Sequence, residues 1–170
     1  MELRHRIRSR YIFGIVYFVF LFGFIAMNVI FADTSNTLAS AEALNADSVL
    51  LIPDIDLKAD VVQLSLVDGE LKTPDYIAGS FQRSENKTLI IGHATTVFSK
   101  LNQASLNNIV VYNNGVYRIV SKYVAPKSDI NMSKLLKRAD RDTLVLMTCA
   151  GESLGDKDAT HRLIITAIRE

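Results

Sequence analysis

"IVVYNNGVYRIVSKYV", residues 109–124, is the stretch on which the fold turns. Two runs rich in β-branched and aromatic residues flank Asn114-Gly115. An Asn-Gly pair readily takes positive φ at both central positions of a type I′ turn, so the segment predicts a β-hairpin centred there. Working outward, "VVQLSL" at 61–66, "KTLIIG" at 87–92, "TLVLMTC" at 143–149 and "RLIITAI" at 162–168 have the same texture. From "VLLIPDIDL" onward such runs are separated by turn residues about every ten positions, the spacing of a sandwich or barrel. Helices are few and short: "TVFSKLNQA" at 96–104, and "SKLLKRA" at 133–139 with Ser133 as N-cap. Lys137 and Arg138 then sit at the second helix's C-terminus, where the dipole favours cations. There is no internal repeat, Gly-rich phosphate loop or paired-cysteine metal pattern.

The N-terminal quarter is different. "YIFGIVYFVFLFGFIAMNVIFA", residues 11–32, is an apolar stretch whose one strongly polar member is Asn28, long enough to cross a bilayer as a helix. Arg4, Arg6, Arg8 and Arg10 precede it, and positive flanks stay cytoplasmic, so the rest of the chain is expected outside the cell. These arginines suit anionic lipid headgroups. A cleaved signal peptide is the rival, but its apolar core is usually only about 7 to 15 residues. The organisation expected is a basic cytoplasmic tail at 1–10, a transmembrane anchor at 11–32, a linker at 33–48 and a catalytic domain at 49–170. The linker "DTSNTLASAEALNADS" is small and polar, with no period for a buried element.

Charge and cysteine content narrow the function. Outside residues 1–40 the chain has 15 basic and 16 acidic residues, which gives no basic face for nucleic acid. A single cysteine, Cys149, can form no intramolecular disulfide, so the outer domain rests on its core. A lone cysteine is commonly just a small buried hydrophobe. Here it ends a candidate strand, and Arg162 opens the next, so antiparallel pairing brings the two to one end of a sheet. His93 ends "TLIIGH", and if that strand runs parallel to the Cys149 strand all three meet at one rim. A thiol acting as nucleophile needs a nearby base or cation, an imidazole can protonate a leaving amine, and an arginine can stabilise an oxyanion. Taken singly, either outer histidine, His93 or His161, could be a strand-end residue bonded to a carbonyl, and Arg162 a solvated charge.

In this order the segments resemble a sortase, a membrane-anchored cysteine transpeptidase of Gram-positive-type surfaces. "LIPDIDL" is similar to the opening strand, "LIIGHAT" to the segment ending in the active-site histidine, "LMTC" to the Thr-Leu-X-Thr-Cys signature and "HRLIITA" to the arginine strand. The likeness covers about residues 50–170. Val145 stands where the signature has its first threonine, while Leu146, Thr148 and Cys149 match. The resemblance implies a mainly β fold, a closed eight-stranded barrel with short helices, preceded by the transmembrane helix. It also implies cleavage of an LPXTG-like sorting signal between Thr and Gly, a thioester on the cysteine, and transfer to an amine of the cell wall or its precursor. The implied catalytic set is His93, Cys149 and Arg162; Thr148 is assigned to substrate or arginine holding, or else is an ordinary strand residue.

No cofactor is required by this chemistry, although some sortases bind calcium and the loop after Cys149 offers Glu152, Asp156 and Asp158. That loop, "ESLGDKD", is also placed to shape the acceptor's way in. The chain has no tryptophan and no second apolar span after the last strand, which points to wall anchoring rather than pilus polymerisation. Two other readings stand beside this one. A different cysteine hydrolase would use His161, and a non-enzymatic tethered β-domain would bind a surface partner and keep Cys149 buried.

Overall fold

The computed structural model describes residues 48–67, 69–155 and 158–170. The predicted tail, membrane span and nearly all of the linker lie outside these residues. Among those described, no helix is long and apolar enough to cross a membrane. The eight described strands are β1 (Ser48–Ile52), β2 (Leu57–Gln63), β3 (Ala78–Ser84), β4 (Lys87–Ile91), β5 (Ile109–Tyr112), β6 (Gly115–Pro126), β7 (Thr143–Gly155) and β8 (Asp158–Arg169). They close into a barrel in the order β1-β2-β3-β4-β7-β8-β6-β5. The pairs β2/β3 and β4/β7 are parallel and the others antiparallel.

Strand β7 shows why the sheet takes this form. Its run "TLVLM" is apolar at consecutive positions, as suits a strand covered on both faces. Leu144 and Leu146 point into the barrel, where they join Leu50, Ile90, Ile119 and Ile165. Val145 and Met147 point outward and pack with Leu89, Ile91, Ile164 and Leu136 in a second cluster. That outer cluster is covered by helix α1 (Met132–Leu135) and by Leu64 and Leu71 from the β2–β3 crossover. A parallel β2/β3 pair demands such a crossover, and this one doubles as a wall.

Several expectations shift in position. The hairpin turn falls at Asn113-Asn114, both at positive φ (45° and 59°), and Gly115 instead opens β6 opposite Tyr112. A Cβ on Gly115 would lie 2.6 Å from the Tyr117 ring, so the glycine answers to packing rather than to turn geometry. The predicted helix at 96–104 is a series of turns ending in a 3₁₀ turn, Leu101–Gln103. Its buried residues Phe98, Leu101 and Ala104 recur every three positions, the 3₁₀ period. Helix α1 is capped by Asn131, whose side chain accepts from Lys134 N at 3.0 Å, so Ser133 lies inside the helix and Lys137 beyond it. Strand β2 begins at Leu57 and stops at Gln63, short of "SL". Strand β3, "AGSFQRS", has too weak a pattern to be anticipated.

Candidate active site

Cys149 does not end its strand: β7 runs six residues past it and pairs back with β8 through irregularities between Ala150 and Gly155. Gly151 and Gly155, at φ 79° and 85°, supply the backbone freedom for these irregularities. The segment read as a loop is therefore largely the distal half of a β-hairpin. Within it, Cys149 stands directly opposite Arg162. Cross-strand partners share a face, so the thiol and the guanidinium stem rise on the same side of the sheet.

His93 reaches that side from β4. The parallel register pairs Ile91 with Met147, and two residues further along each chain come His93 and Cys149. Gly92, just before His93, is pinned to β7 twice. Its N–H donates to Met147 O at 3.3 Å, and its carbonyl accepts from the buried Thr148 hydroxyl at 2.7 Å. Gly92 has no room for a side chain, since a Cβ would sit 2.8 Å from Val97 and 2.9 Å from Phe98. Beyond His93, its carbonyl accepts from the N–H groups of Thr96 and Phe98, and Phe98 is 1% exposed in the core. Thus the histidine is held on both sides.

Asp75, on the β2–β3 crossover, was not anticipated. Its carboxylate lies 3.8 Å from His93 Nε2, and its carbonyl accepts from the Thr96 hydroxyl at 2.7 Å, tying the crossover to the His93 turn. A carboxylate at that distance faces the imidazole and orients its ring.

Arg162 is 15% exposed and well tethered. Nη1 donates to the carbonyls of Ala159 and His161, both at 2.9 Å, and Nη2 donates to Asp158 Oδ1 at 2.6 Å. Asp158 also takes Lys127 Nζ at 2.6 Å on its other oxygen. Bonds from Lys127 and Arg162 hold the Asp158 carboxyl far below the usual carboxylate range. Asp158, one of the three acids that the sequence offers to calcium, is engaged by two cations, and Asp156 lies outside the described residues. Among the described residues no three acidic, histidine or cysteine side chains form a metal-binding group. The Asp158 link was legible in principle, because alternation along a strand puts residues 158 and 162 on one face.

His93, Cys149, Arg162 and Asp158 line a single cavity of about 470 Å³, floored by Ile91 and Met147 and walled by Leu71, Phe81, Met132 and Leu136. Thr148 and Cys149 also border a second cavity of about 380 Å³, with Ala94, Phe98, Lys122 and Gly151. His161 lines neither. It pairs with Ala150, and its Nδ1 is 2.8 Å from the Thr160 hydroxyl, so the strand's alternation turns it away from the face shared by Cys149 and Arg162. Cys149 itself is only partly buried, unlike a thiol that serves as core.

Comparison with known proteins agrees with this architecture. Residues 50–170 match the family model described as the Sortase domain. No curated protein matches the sequence. Sortase A of Listeria monocytogenes shares the fold at 10% identity, with a TM-score of 0.58 over 74% of this chain and 88% of that one. Sortase C-1 of Actinomyces oris matches at 20% identity and TM-score 0.57, over 74% of this chain and 72% of that one. A sortase D5 transpeptidase of Clostridium perfringens matches at 18% identity and TM-score 0.55, over 74% and 79%. At these identities the structural likeness concerns the fold, and the domain match carries the family: the chain belongs to the sortase family of cysteine transpeptidases.

Proposed function

We propose that the protein cleaves an LPXTG-like sorting signal between Thr and Gly and transfers the acyl part to an amine of the cell wall or its precursor. The observation that carries this reading is the cross-strand pairing of Cys149 with Arg162, with His93 level with Cys149 two residues past the end of the neighbouring parallel strand, at the end of one apolar cavity. Cys149 Sγ, as thiolate, attacks the threonine carbonyl carbon, and the electron pair of the C=O bond moves to oxygen. Arg162 stabilises that oxyanion. As the tetrahedral species collapses, the C–N bond breaks and His93 gives a proton to the departing glycine amine. The threonine is then held as a thioester. An acceptor amine attacks the thioester carbonyl, loses a proton to His93, and expels the Cys149 thiolate.

An apolar groove floored by Ile91 and Met147 suits the Leu-Pro end of such a signal. The second cavity, meeting the first at Cys149, supplies the separate approach that a two-substrate reaction requires. Residues 11–32 anchor the enzyme in the bacterial membrane, with residues 1–10 in the cytoplasm and the catalytic domain outside the cell. The chemistry calls for no cofactor, and calcium acting in the β7–β8 hairpin would compete with Lys127 and Arg162 for Asp158.

The test is intact-mass analysis of the full chain and its Cys149→Ala variant, incubated with LPXTG-like peptides varied at each position. A hydroxylamine-sensitive acyl adduct on the wild type alone is the expected result, and it identifies the preferred motif. No adduct with any peptide, from a folded protein whose thiol resists alkylation, would favour a binding domain instead. Activity that survives His93→Ala and is lost in His161→Ala would move the base to His161.

A further inference from the structure

The tethering of Arg162 has a second tier. A guanidinium carries five N–H donors. Three are taken among the described residues, by the carbonyls of Ala159 and His161 and by the Asp158 carboxylate. A carboxylate 2.6 Å from the guanidinium fixes its plane, but it also opposes the positive charge needed at an oxyanion. Lys127 meets that opposition. It follows the end of β6, whose last residue Pro126 pairs with His161, and its ammonium lies 2.6 Å from the other oxygen of Asp158. Lys127, Asp158 and Arg162 together carry one net positive charge, whereas Asp158 and Arg162 alone carry none. Exposure falls along the row, from 54% for Lys127 through 34% for Asp158 to 15% for Arg162, so the charge nearest Cys149 is the least screened.

We propose that Lys127 and Asp158 form a charge-compensated holder for Arg162, in which Asp158 orients the guanidinium and Lys127 cancels the charge of Asp158. Neither touches the substrate; both are positioning residues. The inference rests on the reading of Cys149 as nucleophile and Arg162 as oxyanion stabiliser.

The test is single-turnover acylation of the full chain, in mild detergent, by the LPXTG-like peptide that the mass assay selects. The variants are Lys127→Met, Lys127→Arg, Asp158→Asn and the Lys127→Met/Asp158→Asn double, with melting temperatures measured alongside. Lys127→Met leaves Asp158 uncompensated and lowers the acylation rate roughly fivefold, the size of a partly exposed charge interaction, with little change in peptide affinity. Lys127→Arg restores the rate. In the Asp158→Asn background the lysine has no charge to cancel, and removing it costs nothing further. Equal losses from Lys127→Met in both backgrounds would overturn the holder, as would a faster rate in Asp158→Asn, which would make Asp158 a brake. Lys127 is more than half exposed, so its single variants decide the matter even where Asp158→Asn unfolds. A wild type that forms no adduct would overturn the parent reading and the holder with it. A wild type that acylates, beside an unaffected Lys127→Met, overturns the holder alone.

Discussion

Replacing Thr148 by valine isolates one hydrogen bond that joins the fold to the site. The side chain is 5% exposed and its hydroxyl donates to Gly92 O at 2.7 Å. Valine preserves the branched shape, so no cavity opens. It places a methyl against a buried carbonyl, which loses this partner, at a cost of about 1–3 kcal/mol. For a domain of this size each kcal/mol moves the melting temperature by about 4 °C, so a fall of roughly 4–12 °C is expected. Function is hit as well, because Gly92 carries His93 as its next residue and misplacement of a catalytic group by about 1 Å can cost up to about a hundredfold in rate. Thermal unfolding followed by circular dichroism measures the first effect, and acylation kinetics of the same samples measure the second. Thr148→Ser is the control: it keeps the hydroxyl, loses a methyl worth about 0.8 kcal/mol, and retains a near-normal rate. If the Thr148→Val protein matches the wild type in both assays, or if the serine variant is as slow as the valine one, the hydroxyl is not what aligns His93.

Four further outcomes are expected from neighbouring features. Gly92→Ala forces a Cβ to within 2.9 Å of Phe98, which cannot move from the core, and the overpacking costs about 1–3 kcal/mol in urea unfolding while slowing acylation. Asn113→Ala places an alanine at φ 45° in the hairpin turn and destabilises by about 1–2 kcal/mol in the same assay; no change would return the turn to residues 114–115. Burial, then a hydrogen bond to Asp142, pushes the Tyr117 hydroxyl up to about 12 from 10.0. Its neutral form is therefore favoured by folding. The stability it contributes is complete below pH 10 and is lost as pH rises toward 12, so melting temperatures fall across that window and fall less in Tyr117→Phe. Asp158 gives the opposite sign: its carboxyl titrates lower in the folded chain than the ordinary 3.8, so it adds stability above that value and withdraws it as pH falls further. Melting temperatures below about pH 4 should therefore depend less on pH in Asp158→Asn than in the wild type.

What the sequence alone determined was local and periodic. Apolar runs such as "TLIIG" and "TLVLMTC" marked the strands that cross the core, because continuous burial leaves a continuous apolar signature. The His93, Cys149 and Arg162 segments could be recognised from motif and order; the spacing of the runs left a sandwich or a barrel open, and the closed eight-stranded barrel was what the family resemblance implied. Strand β3 escaped notice because Ala78, Gly79 and Ser80 are small where the chain packs closely, with Leu64 lying 2.2 Å from where a Gly79 Cβ would stand. Tertiary structure alone decided the parallel register of β4 on β7, which levels His93 with Cys149, and the partners that hold the site. Asp75 reaches His93 from a crossover well upstream in the chain, and Lys127 reaches Asp158 from the end of another strand. Periodicity reports which face of a strand is buried, but it is blind to which strand lies alongside. That is settled by barrel closure, where each strand's edge must find a hydrogen-bonding neighbour, and closure brings these distant charges together.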